Sequence, residues 1–361
     1  MIETYRYDLL NKVSLLFFTL IPIALLTGSF LPDLFLSFIV LIFIYKSIRF
    51  KLKKYYFNNY FYFFAIFYIY LVLNSFLSVD SALSFKSSIF YFRFFIFGLA
   101  IWYLLDRNKN TPKYFTYSLL FSIVLSIVDG YFQFFFNISL FGIENLNSSR
   151  LNLVFNDKLI LGGYLSRLFP LALALIIFYM NNSKKYYYLI VLLLILIDIL
   201  IYISGERTAL GLMILSNIFI LTFMKNLKLL RLGSLLLSLI IIYFITINYP
   251  NIKERNVDHT INQFNFVSDN DKLSITLLSP EHESLFFTSW NIFIDKPIMG
   301  SGVNTFRVVC NNEIYAHNLI SCSTHPHNSY LQIMAETGGL GVIFLLLIIL
   351  YFSKIIFVHA C

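Results

Sequence analysis

Residues 232–249 read LGSLLLSLIIIYFITINY, eighteen positions in succession without a charge. A helix rises about 1.5 Å per residue, so a stretch of that length crosses the roughly 30 Å hydrocarbon layer of a bilayer. Stretches of the same kind recur on both sides of it. Spans are expected at 13–31, 34–48, 61–78, 89–105, 115–135, 159–180, 187–203, 208–224, 232–249 and 338–358. The second and eighth are short or crowded against a neighbour, so the expected number is about ten, with twelve as an upper bound. Of the 361 residues 58% are hydrophobic and only 13% charged, about half the charge of a typical soluble domain, which excludes a water-soluble enzyme built around one core. The expected fold class is an all-α polytopic membrane protein with one long extramembrane loop. Residues 1–12 carry both charge signs and no small-residue cleavage site follows, so the first span reads as an anchor and not a removed signal peptide.

The net charge of +8 at first suggests nucleic acid, but the placement of the basic residues gives another reading. Fifteen of them, Lys46, Arg107 and Arg231 included, fall on one side of the alternating short loops and four, Lys86, Arg150, Lys158 and Arg207, on the other. Under the positive-inside rule that asymmetry puts the N-terminus in the cytoplasm. The basic excess is then a topology signal, and no nucleic-acid partner is expected. The organisation expected is a bundle of nine spans over 1–249, a periplasmic loop over 250–337, and a final span with a short cytoplasmic tail over 338–361. The loop contains short amphipathic stretches such as Ser284 to Ile294.

Five of the six histidines, His259, His282, His317, His325 and His327, lie in that loop. Imidazole titrates near neutral pH and suits proton transfer at an aqueous surface. His259 and His317 read as solvated loop residues. The run His325-Pro326-His327-Asn328 stands just before the last span, where a histidine can face a lipid-linked substrate reacting at headgroup depth. A second set is basic: Arg93 and Arg167 lie inside the outer ends of spans, Arg150 precedes one, and Arg207 closes the turn Ser204-Gly205-Glu206-Arg207. Charge within a span is expensive and points to function, although each arginine alone can snorkel or pair with Asp129 or Glu206. Together they suggest an anion-binding vestibule, because guanidinium binds phosphate oxygens bidentately.

The run His327-Asn328, nine residues, Gly338, two residues, Gly341 resembles the signature of O-antigen ligases and O-antigen polymerases. Three features accompany it: Arg207 after a small-residue turn, Trp290 ahead of Pro297, Gly300, Gly302 and Phe306, and Arg150, Phe155 and Gly162-Gly163 opening the sixth span. The resemblance covers about 145–345 and implies a metal-independent glycosyltransferase of the outer leaflet, with no cofactor. Its donor would be a glycan on undecaprenyl pyrophosphate, its acceptor a sugar hydroxyl on the lipid A core or on another repeat unit, and its location the bacterial inner membrane. On this resemblance His327 is the general base and Arg207 the main pyrophosphate ligand. Arg150 and Arg167 would support Arg207, Arg93 is a further substrate-binding candidate, and His325 and Asn328 would orient His327 or the acceptor. Gly338 and Gly341 would let the last helix start close to its neighbours. One position departs from the family: Phe286 stands where an arginine is common, leaving Arg307 or His282 to supply the charge, or the donor to be held differently.

Cys310 and Cys322 share the loop in a compartment where disulfides persist, which favours a bridge tethering the segment that leads to His325 and His327. Zinc is the competing use of these cysteines with His317, His325 and His327, but the spacing is irregular and no His-Glu-x-x-His helix exists, so no metal is expected. A transporter of lipid-linked oligosaccharide is the alternative of a different class; no repeat symmetry or broken midplane helix marks one. Ligase, polymerase and protein O-oligosaccharyltransferase remain open branches of one chemistry.

Overall fold

The computed structural model of the protein describes residues 2–145, 150–152, 160–179, 184–224, 227–264, 267–269, 272–274 and 279–360; Phe155 and Lys158 lie outside the described residues. It is an all-α membrane architecture. The helices are α1 (Ile2–Ala24), α2 (Phe30–Phe50), α3 (Asn59–Phe76), α4 (Ser81–Ser88), α5 (Phe92–Arg107), α6 (Thr111–Phe136), α7 (Leu161–Tyr179), α8 (Lys184–Ile203), α9 (Arg207–Phe223) and α10 (Lys228–Asn248). After these come the short α11 (Pro250–Lys253) and α12 (His259–Phe264), then a small hairpin of β1 (Val267–Asp269) and β2 (Lys272–Ser274). The chain ends with α13 (Pro280–Asp295), α14 (Phe306–Val309) and α15 (Ser329–Ala360).

Among the described residues eight helices are long and apolar enough to cross a membrane, and the shorter Tyr187–Ile203 and Arg207–Phe223 bring the apolar helices to one for each expected span. Their ends follow capping chemistry. The Asn58 side chain accepts the Phe61 N–H at 2.9 Å and Asp80 accepts that of Leu83 at 3.0 Å, each satisfying a donor that the first turn leaves orphaned.

The chain groups into two compact units, Met1–Ile42 with Ile101–Asn265, and Phe43–Ala100 with Phe266–Cys361. In the first unit α7 packs against α6, α8 and α9 around a core that includes Leu119, Ile123, Leu161, Leu165, Leu200 and Ile201. Tyr164 ties this centre to α1 and α6, donating to the Pro22 carbonyl at 3.0 Å and sharing a 2.9 Å hydrogen bond with Ser122. Deeper in the same unit, Arg231 of α10 is fully buried. Its guanidinium meets Asp198 of α8 at 2.7 Å and Asn217 of α9 at 2.6 Å, and Ser238 donates to the other Asp198 oxygen at 3.1 Å. Arg231 is therefore a buried partner and not the solvated loop charge that the basic tally made it. Lys46 is likewise buried. Removing both leaves the direction of the bias unchanged.

In the second unit α13 packs against α15 over a small core of Leu285, Ile292, Phe306, Val309 and Ala335. The final helix begins at Ser329 and not at 338; Gly338 is a kink inside it, at φ 61° and ψ −163°. There the Gly339 N–H turns to the Pro297 carbonyl at 2.7 Å and the Leu340 N–H to that of Ile298 at 3.3 Å. Gly338 therefore lies at a bend within the last helix and not at the helix start expected for it. A Cβ on Gly338 would strike the Ile298 carbonyl and lie 2.7 Å from the Gly300 nitrogen. Gly338→Ala should lower stability by about 1–3 kcal/mol through its left-handed backbone alone, and further through that collision; thermal unfolding in detergent checks this.

Candidate functional site

The first unit holds the arginine set. Gly205, at φ 68°, turns the chain so that Glu206 reaches the start of α7, where its two oxygens accept the N–H groups of Gly162 at 2.6 Å and Gly163 at 3.0 Å. A carboxylate there faces the positive end of the helix dipole. Close approach favours glycine at 162, where a Cβ would run into Ser204 Oγ and lie 3.0 Å from Ala209 Cβ; at Gly163 a Cβ would lie 2.8 Å from the movable Arg167 Nη1.

Three expected arginines gather at this turn. Arg207 opens α9, half-buried, directly after Glu206. Arg167 donates to the Gly163 carbonyl at 3.1 Å from the exposed side of α7. Arg150, half-buried, lines a cleft of about 360 Å3 with Asn137, Asn145, Tyr249 and Asn251, a volume typical of small-ligand sites. A fourth cation, Arg255, donates to the Gly205 carbonyl at 3.3 Å. Sequence reading missed Arg255, although a basic residue just past the span end that the charge bias assigns to the outer side was a usable signal.

Among the described residues the Glu206 carboxylate is the anion at the centre of these cations. Burial pushes the Glu206 carboxyl up, while the two glycine N–H groups, Arg150 and Arg167 pull it down. Burial, Arg255 and Arg207 all work against the Arg150 cation, and Glu206 favours it. Among the described residues four guanidiniums thus gather about the Glu206 turn, side chains of the kind that bind phosphate oxygens bidentately. Asp129, the other expected partner for arginine, accepts the Leu140 N–H at 2.6 Å.

The second unit holds the histidines. The rings of His325 and His327 lie 4.4 Å apart by centroid, and His282 lies 6.1 Å from His327. His327 is exposed and sits at φ 53°, a left-handed conformation that costs a non-glycine residue about 1–3 kcal/mol. Asn328 explains how it is held: its side chain caps α15, accepting the N–H groups of Tyr330 at 2.9 Å and Leu331 at 3.3 Å. Hydroxyls flank the imidazoles, with Ser323 at 3.3 Å from His327 Nε2, Thr324 at 2.9 Å from His325 Nδ1 and Ser279 at 2.8 Å from His282 Nδ1. A disulfide joins Cys310 to Cys322 with Cα atoms 4.9 Å apart, closing the loop just before the histidine run. Such a loop closure contributes about 3 kcal/mol in the chain-entropy account. With both sulfurs so engaged, neither thiolate is open to zinc; among the described residues no group of three or more His, Cys, Asp or Glu is placed to hold a metal ion.

Of the two histidines read as solvated, His259 is exposed beside Glu254, whereas His317 stacks on Phe287 with ring centroids 4.7 Å apart. Glu336, buried in α15, accepts the backbone N–H groups of Asn304 at 2.9 Å and Phe306 at 3.2 Å, at the start of α14. Arg307 follows at the surface of α14 and acts electrostatically on both Glu336 and His325. Arg93 also belongs to this second unit, stacked 5.0 Å from the Phe94 ring at the edge of an aromatic cavity of about 500 Å3 lined by Tyr60, Phe64, Phe67, Tyr68, Tyr91 and Phe95 among others. Gly341 packs against Thr337 on the preceding turn of the same helix.

Partial burial, with His327 and Arg307 nearby, lowers the His325 pKa below the ordinary imidazole value, so that ring is neutral at pH 7. As pH falls through this lowered pKa, His325 gains a positive charge beside Arg307. Removing Arg307 lifts part of the depression, so in Arg307→Gln the acid limb of the pH–activity profile should move to higher pH; an unmoved or lower limb would contradict this placement.

These features define a multi-pass membrane protein with a guanidinium cluster on one unit and an imidazole cluster on the other. Residues 161–346, just over half of the chain, match the family model described as O-antigen ligase. The chain belongs to the O-antigen ligase family, of the glycosyltransferase type. The matched stretch includes Gly162-Gly163, Arg167, Arg207, Arg307 and the histidine run; Arg93 and Arg150 lie before it. No curated protein matches the sequence.

Proposed function

We propose that the protein transfers a glycan from undecaprenyl pyrophosphate to a sugar hydroxyl of the lipid A core, at the periplasmic face of the bacterial inner membrane, with the N-terminus in the cytoplasm. The observation that carries this reading is the arginine cluster around Glu206 within a family of glycosyltransferase type. Breaking the glycosidic bond leaves a pyrophosphate that gains negative charge as it departs. Arginines placed at those oxygens stabilise the transition state more than the ground state. Arg207 is the main ligand, with Arg150 and Arg167 beside it. His327, exposed and flanked by His325 and His282, takes the proton of the acceptor hydroxyl as it attacks the anomeric carbon. Asn328 sets the His327 backbone, and Arg307 and Arg93 add positive charge on that unit. Without a protein nucleophile the step is a single displacement with inversion, and no metal enters it.

Deleting the gene and separating surface polysaccharide on a gel tests the reading. Loss of all long-chain material from the core supports ligase action. Core carrying one repeat unit would reassign the protein to polymerisation, and an unaltered ladder with loss of glycosylated protein would reassign it to protein O-glycosylation.

A further inference from the structure

The polarity of α13 is inverted. Its buried face consists of Ser284, Leu285, Thr288, Ser289 and Ile292, three of them hydroxyl residues. The middle and end of its exposed face carry Phe286, Trp290 and Ile294 at successive four-residue steps, 37%, 42% and 59% exposed, with Phe287 beside them at 38%, while the exposed Glu281 and His282 lie at its first turn and Asp295 at its last residue. Residues four apart lie on one helix face, so these form a continuous aromatic and aliphatic stripe. A helix facing water keeps its apolar stripe inward. On α13 the outward stripe is the more apolar one, so the medium it meets is not water.

The position of the helix identifies that medium. Directly after Asp295, the Pro297 and Ile298 carbonyls bond to Gly339 and Leu340 of α15, and the Met299 carbonyl accepts from Asn74 of α3. Both α15 and α3 are among the helices able to cross the bilayer. The C-terminal end of α13 is therefore pinned at the depth where spanning helices run. Ile298, 65% exposed, carries the stripe on toward the lipid-facing surface of α15 at Ile343, 53% exposed. Aromatic residues with an apolar body and a polar edge collect at this depth in membrane proteins.

We propose that α13 is an interfacial helix of the bilayer, with Phe286, Trp290 and Ile294 seated between headgroups and acyl chains. This anchor fixes the height of the loop that Cys310–Cys322 closes, and of the histidines after it. It also accounts for Phe286 at a position where an arginine is common in the family: the site faces lipid. The proposal is independent of the glycan and of the reaction.

The sequence offers a direct test, because Trp102 and Trp290 are its two tryptophans. In full-length Trp102→Phe protein reconstituted into phosphatidylcholine vesicles, Trp290 emission reports α13 alone. Lipids brominated at shallow acyl positions should quench it at least about twofold, as insertion roughly 5–10 Å below the headgroups requires, while aqueous iodide should have little effect. Iodide quenching without bromine quenching would overturn the proposal in favour of a water-facing helix. Protection from both quenchers would overturn it in favour of a protein partner, a second copy included. If Trp102→Phe fails to fold, subtracting the Trp290→Phe signal from that of the unaltered protein isolates the same emission.

Discussion

His327→Ala and His327→Asn should each lower glycan transfer by about 10²–10⁴-fold, the usual contribution of a positioned general base. The pair is chosen for the backbone. His327 occupies φ 53°, where alanine is strained but asparagine is tolerated. His327→Asn therefore retains the fold while removing the proton acceptor, and a loss shared by both variants belongs to the chemistry. Donor binding should be nearly unchanged in either, since the pyrophosphate is assigned to Arg207 and its neighbours. Arg207→Ala should show the complementary pattern, weakening donor binding and lowering turnover by about 10²–10³-fold. Transfer assays beside binding of labelled donor separate the two. Full transfer by His327→Asn would remove His327 from the reaction.

Removing one partner of the buried Asp198–Arg231 pair should destabilise the protein by about 3–5 kcal/mol, because the remaining charge has no water to return to. The pair is closed on every side the structure describes. Arg231 meets Asp198, Asn217 and Ser234, and Asp198 meets Arg231 and Ser238. Thermal unfolding in detergent should show a large fall for Asp198→Ala and for Arg231→Ala. Replacing both with residues of similar volume, Asp198→Leu with Arg231→Met, should restore most of the loss, since an apolar pair incurs no desolvation of ions. Wild-type stability in either single variant would show that the network contributes nothing.

The spans were legible because hydropathy over eighteen or more residues dominates every competing local preference, and the expected segments correspond one to one with the apolar helices. The start of the last helix was not. Residues 329–337 are mixed in polarity and carry Glu336, whose charge is satisfied by the N–H groups of Asn304 and Phe306, some thirty residues earlier in the chain. The same blindness affected Arg231, which looked like a loop charge until Asp198 was found 33 positions before it. The histidine and arginine candidates were legible by residue type and placement near span ends. What sequence could not supply was their support: Glu206 holding Gly162 and Gly163, Arg255 on the Gly205 carbonyl, and Asn328 acting as a cap beside His327. Each depends on a backbone group that becomes available only once distant segments have folded together, or once a helix has chosen its first residue.

The most direct test of the proposed reaction uses purified protein in proteoliposomes, a donor labelled in its glycan, a core acceptor and a metal chelator. The account predicts label covalently joined to the acceptor with inverted anomeric configuration, together with released polyprenyl pyrophosphate. Label that crosses the membrane while still attached to its lipid, with none on the acceptor, would contradict it and identify a transporter.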